Sequence, residues 1–173
     1  MENNHNRMVT GMFRDRESAE RAYDALEEKG YTKEEINVMM SDDTRKKYFS
    51  EEHESELGSK AMEGAGTGSA IGGTVGAIAG IIAAIGTNLI IPGLGLVIAG
   101  PIAAGLAGAG AGGITGGLIG ALIGSGIPKE HAVEYEKGIK NGHIVMGVKP
   151  RTEEEAEYIS SDWKNNNGEH IYR

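Results

Sequence analysis

The sequence predicts an α+β fold, and three observations carry that prediction. Apolar residues alternate near both ends of the chain, amphipathic helical patterns lie between the alternating runs, and a long glycine-rich block in the middle carries no charge. No Asp, Glu, Lys, Arg or His occurs between Glu63 and Lys129, and 21 of the 28 glycines fall there. The chain of 173 residues therefore joins two unlike materials.

Residues 1–41 read as the first half of a small α/β domain. "RMVTGMF" (7–13) is strand-like, with Val9, Gly11 and Phe13 on one face. In "DRESAERAYDALEEKG", Asp15 is placed as an N-cap. Ala19, Ala22, Tyr23 and Leu26 recur at i, i+3, i+4 and i+7, and Gly30 stops the helix. "YTKEEINVMMS" has a capping-box spacing at Thr32 and Glu35, then Ile36, Val38 and Met40 alternate as a second strand. Residues 42–63 are charged and mixed and read as a solvated linker with at most one helical turn.

Residues 64–127 read as a glycine-zipper helical hairpin. Glycine recurs at 64, 68, 72, 76 and 80; farther on, Gly100, Ala104, Gly108, Gly112, Gly116, Gly120 and Gly124 keep the same fourfold spacing. The stretch "GTNLIIPGLGLVIAGP" (86–101) interrupts the pattern and leaves arms at about 64–86 and 101–126. Each arm is roughly 35 Å long at 1.5 Å per residue, enough for a hydrocarbon layer of about 30 Å. Glycine costs roughly 1 kcal/mol against Ala inside a helix. Placing it at helical spacing makes sense where small residues let two backbones pack closely, and Gly68, Gly72, Gly76, Gly80, Gly108, Gly112, Gly116 and Gly120 are the expected contact positions. Ile71, Ile78, Ile81, Ile82 and Ile85 gather on the opposite side of the first arm, and Ile114, Leu118 and Leu122 project away from the glycines of the second. Phased glycine rows of this kind set the block apart from a flexible Gly/Ala linker.

Residues 128–173 read as the second half of the domain. "IPKEHAVEYEKGIKNG" puts Pro128 at the first helical position, turns Ala132, Tyr135 and Ile139 inward and stops at Gly142. "HIVMGVKP" (143–150) follows as a strand. Thr152 and Glu155 repeat the capping-box spacing before a helix burying Ala156, Ile159 and Trp163, and "EHIYR" ends the chain as an edge strand. With 42–142 set aside, the order is strand, helix, strand, strand, helix, strand. That is the order of a ferredoxin-like split β-α-β sandwich, here interrupted by an inserted glycine-zipper α-helical hairpin.

The chemistry of the chain is sparse. There is no cysteine, which excludes disulfides, thiolate metal sites and thiol nucleophiles. A net charge of −8 argues against nucleic acid as a partner. "GAGAGG" (108–113) satisfies G-x-G-x-x-G through Gly108, Gly110 and Gly113, but no strand precedes it in the pattern and no suitable acid follows. His5, His53, His131, His143 and His170 are scattered, with no pair at i, i+4; His143 and His170 begin adjacent elements and are the pair placed to meet across the sheet. The acidic runs at 51–56 and 152–157 read as solvated linker and helix N-terminus. Ser18, Ser160 and Ser161 lack a base. No catalytic, cofactor-binding or metal-ligating residue is assigned, and the chain is read as a non-enzyme without a cofactor.

The layout resembles the bacterial general stress proteins of the heat-induced YflT-like group. The likeness rests on "VTGMFRDRESAERAYDALEEKGYTKEEINVM", on "IPGLG" and "AGPIAAGLAGAGAGG", and on "GIPKEHAVEYEKGIKNGHIVMGVKP", and it extends over nearly the whole chain. It implies a stress-induced bacterial protein and carries over no catalytic residue. The expected partner is a second copy of the chain, in a homo-oligomer formed through the zipper. Two settings are open: a cytoplasmic domain with the hairpin in or on the inner membrane, the start of the chain lacking the order of a signal peptide, or a soluble cytoplasmic scaffold. The uncharged connector and the unbiased flanks Lys60, Glu63, Lys129 and Glu130 speak against a simple span. A third reading is a small-ligand sensor that uses the sheet.

Overall fold

In the computed structural model, the described residues are 8–49, 89–91, 95–108 and 117–173. The elements run β1 (Val9–Phe13), α1 (Arg16–Glu28), β2 (Ile36–Ser41), α2 (Asp42–Phe49), β3 (Leu89–Ile91) and β4 (Leu96–Ala99), followed by α3 (Pro101–Gly108), α4 (Gly117–Gly124), α5 (Lys129–Lys140), β5 (Ile144–Val148), α6 (Glu153–Asn165) and β6 (Glu169–Tyr172). The fold is α+β, as expected. These strands join one antiparallel, six-stranded sheet in the order β3-β4-β2-β5-β1-β6.

Strand alternation divides the core into two layers. Val9, Phe13, Ile36, Val38, Met40, Ile144, Met146 and Val148 face α1 and α6, where they meet Tyr23, Leu26, Ile159 and Trp163. Met12, Met39, Ile98 and Val145 face the other way, onto α3, α4 and α5. Both faces are covered, so the interior strands β1 and β5 are buried along their whole length. Gly11 makes room for the indole on the first face, since a Cβ there would lie 2.8 Å from Cε3 of Trp163. Trp163 in turn meets Phe13 edge to face, with ring centroids 5.7 Å apart.

Local signals set the helix limits. The Asp15 carboxylate accepts from the Ser18 N–H and the Thr152 hydroxyl accepts from the Glu155 N–H, each at a helix N-cap. Helices α1, α4, α5 and α6 all end in the same Schellman geometry, with the N–H groups of Tyr31, Ile127, His143 and Gly168 donating to the carbonyls of Leu26, Leu122, Gly138 and Trp163. The left-handed residues of these ends are Gly30, Gly126, Gly142 and Asn167. Gly30 and Gly142 are the two stops the sequence marks. At β6 the register slips against β1 between Thr10 and Met12, and His170 sits in the left-handed region at φ 49°. The Tyr135 hydroxyl donates to the His170 carbonyl at 2.6 Å and shares a hydrogen bond with Thr10 Oγ1, which ties the bulge to α5.

Several expectations are corrected. Residues 42–49 are not solvated linker: α2 buries Thr44 and Phe49, and the Arg16 guanidinium lies over the Phe49 ring. The interruption at 86–101 is not a bare connector, because β3 and β4 form an antiparallel pair that extends the sheet beyond β2. The second arm, 101–126, is interrupted at Gly117, whose φ of 60° is a conformation a right-handed helix cannot pass through; residues 109–116 of this arm lie outside the described residues. Gly100 lies in no helical seam. It turns from β4 into α3 at φ 97°, pressed against the backbone of Ile36 and Asn37. Pro128 is the N-cap of α5 and not its first helical residue. The first arm and most of the charged linker, residues 50–88, lie outside the described residues.

Candidate functional site

The glycine-rich block supplies α3 and α4, and their packing determines what they present outward. On α4, Leu118, Ala121 and Leu122 are buried in one cluster with Ile102 and Ala103 of α3, Tyr135 and Ile139 of α5, and Ile98 and Val145 of the sheet. Leu118 and Leu122, two of the bulky side chains that the pattern sets away from the glycines, are therefore spent on the core. Gly117, Gly120 and Gly124 lie at i, i+3 and i+7 along a face of α4 away from that cluster, and a Cβ built on any of them meets no atom of the described residues within 4 Å. Ile123, beside them, is 43% exposed. On α3, Ala104 and Gly105 are exposed and Gly105 is equally open. Among the described residues, the outer positions of these two helices are thus small or apolar and include no ionisable group.

A surface of this kind offers no acid, base or ligand atom beyond backbone. What it offers is close approach, because missing side chains allow a second backbone to reach van der Waals contact. Of the expected contact positions, Gly68, Gly72, Gly76, Gly80, Gly112 and Gly116 lie outside the described residues, Gly108 closes α3, and Gly120 is in α4 with open space above it. Gly108 and Gly120 are thus the two expected contact positions within the described residues. The expected meeting of His143 with His170 fails: β1 lies between β5 and β6, so the two histidines attend strands that are not neighbours.

Sequence reasoning passes over Asn37. It is buried in the middle of β2, its side-chain N–H donates to the Gly147 carbonyl at 3.1 Å, and its Oδ1 accepts from the Ile102 N–H at 2.8 Å. One side chain thus ties β2 to β5 and caps the first turn of α3. The available signal was a lone amide inside the apolar run "INVMM".

Compared with known proteins, the chain matches no family model, no curated protein and no solved structure. Among the described residues, no helix is long and apolar enough to cross a membrane. Helices α3 and α4, at eight residues each, span about 12 Å against a hydrocarbon layer of about 30 Å.

Proposed function

We propose that this chain is a non-enzymatic bacterial general stress-response protein that self-associates through its glycine-rich central segment. In this reading the strands β2-β5-β1-β6 with α1 and α6 form a ferredoxin-like unit, and the block inserted between β2 and β5 is the associating element. The observation that carries the proposal is the outer surface of α3 and α4: uncharged, small-featured, and open above Gly120 and Gly124. Burial of Leu118 and Leu122 against the sheet favours a second copy over lipid as the occupant of that surface, since these are the side chains an acyl layer would take. Attachment to the inner membrane then falls to residues 64–86.

Replacing Gly120 and Gly124 by leucine tests it. Both positions are open, and leucine is the better helix former by up to about 1 kcal/mol, so the protomer is expected to keep its fold. Light scattering coupled to sizing is expected to show an oligomer for the parent chain and a smaller species for the double variant. A parent chain that is monomeric at every concentration overturns the reading. Carbonate extraction followed by detergent separates a membrane-attached oligomer from a soluble one.

A further inference from the structure

The register of the sheet aligns four chain reversals along one end. Phe13 pairs with Ile144 and Ser41 with Leu96, so Arg14, His143, Ser41 and Gly95 stand in neighbouring positions across β1, β5, β2 and β4. Helix α2 starts from this end: the Asp42 N–H donates to the Gly95 carbonyl, and the Ser41 hydroxyl accepts from the Thr44 N–H. Helix α5 finishes at it with Lys140, and the Schellman turn then brings His143 into place. Together they enclose an open cavity of about 650 Å³.

Cations converge there although the chain as a whole is acidic, with a net charge of −8. Arg14 comes from the turn after β1, Lys47 from α2 and Lys140 from α5, against Asp43 as the one carboxylate of the lining among the described residues. Arg14 pairs with Glu169 and Lys140 with Glu136, but both basic side chains are about two-thirds exposed, at 67% and 70%, and such pairs exchange readily for a better acceptor. The Lys47 ammonium rests 4.7 Å from the centroid of the Tyr48 ring. The Ser41 and Thr44 hydroxyls line the same space, hydrogen-bonded to each other at 2.8 Å, which leaves one O–H of the pair to donate. His143 has Nδ1 buried beside Gly138 without a hydrogen-bond partner among the described residues, and the residue lines the cavity. Three cations on three separate elements, with hydroxyls between them, suit an anion of more than one charge.

We propose that the cavity at this end of the sheet binds a phosphate-bearing small molecule, held by Arg14, Lys47 and Lys140 with His143 at its wall. The site is separate from the α3–α4 surface and does not depend on self-association. Pyrophosphate is the probe, titrated into the full chain with the His143 imidazole followed by NMR and its signal assigned from a His143→Gln variant. Saturable movement of that signal is expected, tighter than with inorganic phosphate and absent with chloride at equal ionic strength. A Lys47→Gln, Lys140→Gln double variant is expected to weaken binding at least tenfold with the melting temperature unchanged, and Lys47→Arg to retain it. No saturation in the millimolar range overturns the proposal, as does an equal response to chloride or undiminished binding in the double variant.

Discussion

The two faces of the sheet differ in one pair of helices: α5 on the second face is amphipathic like α1 and α6 on the first, whereas its neighbours α3 and α4 carry no charge. On one face, α1 and α6 bury Tyr23, Leu26, Ile159 and Trp163 and turn Glu17, Glu153, Glu154 and Glu157 to water. On the other, α3 and α4 bury Ile102, Leu118 and Leu122 equally well, yet their outer surface holds Ala104, Gly105, Gly124 and the half-exposed Ile123. An amphipathic helix is complete once its apolar stripe is buried. A helix that is apolar all round is left with a second surface that water does not favour, and that surface is the one available for further contact.

The comparison can be broken most forcefully by truncating the core on each side. Trp163→Ala should cost about 3–5 kcal/mol in denaturant unfolding, because the indole is fully buried against Phe13 and Gly11. Leu122→Ala should cost about 2–5 kcal/mol, and a loss near zero would show that α4 does not dock on the sheet. Next in size is Asn37→Leu, which strands the Ile102 N–H and removes one donor from the Gly147 carbonyl; a loss of about 1–3 kcal/mol is expected, with hydrogen exchange rising first in α3. Gly120→Leu should leave stability within about 1 kcal/mol of the parent while lowering the mass of the oligomer, an outcome that the charged outer faces of α1 and α6 would not give.

The smallest effect concerns pH. Burial, followed by the positive charge of Arg14, pushes the His143 imidazole below its ordinary value of 6.5, while Glu169 pulls it back up. The unfolded chain then binds the proton more readily than the folded one. Stability is therefore complete above that ordinary value and declines as the pH falls through the window below it. His143→Gln should flatten that part of the curve, as read from melting temperatures across the range, and leave the rest of the profile as it was.

Much of the first face is legible in the amino-acid pattern alone. The i, i+3, i+4, i+7 spacing of Ala19, Ala22, Tyr23 and Leu26, the caps Asp15 and Thr152, and the stop Gly30 each act over a few residues, and each appears where the sequence places it; on the other face the same holds for α5, with Ala132, Tyr135 and Ile139 turned inward and its stop at Gly142. The part of the second face that the uncharged block builds is not legible in that way. Glycine at fourfold spacing predicts a continuous second arm, but in the described part of the block Gly117 is left-handed and β4 pairs with β2. Apolar runs such as "LIIPGLGLVIA" carry no periodicity that separates strand from helix, so the partner decides. The cavity lined by Arg14, Lys47, Lys140 and His143 has no sequence signature either, since its members are brought together only by strand register.

By itself the sequence determined which segments are amphipathic, where their helices begin and end, and which third of the chain has no charge to show to water. Those properties are local, governed by side-chain spacing and by backbone preferences at a few caps and turns. The tertiary structure decided that part of the uncharged block widens the sheet and seals its second face, with Asn37 as the tie. That outcome depends on hydrogen bonds and burial between residues far apart in the chain, for which a one-dimensional pattern holds no term.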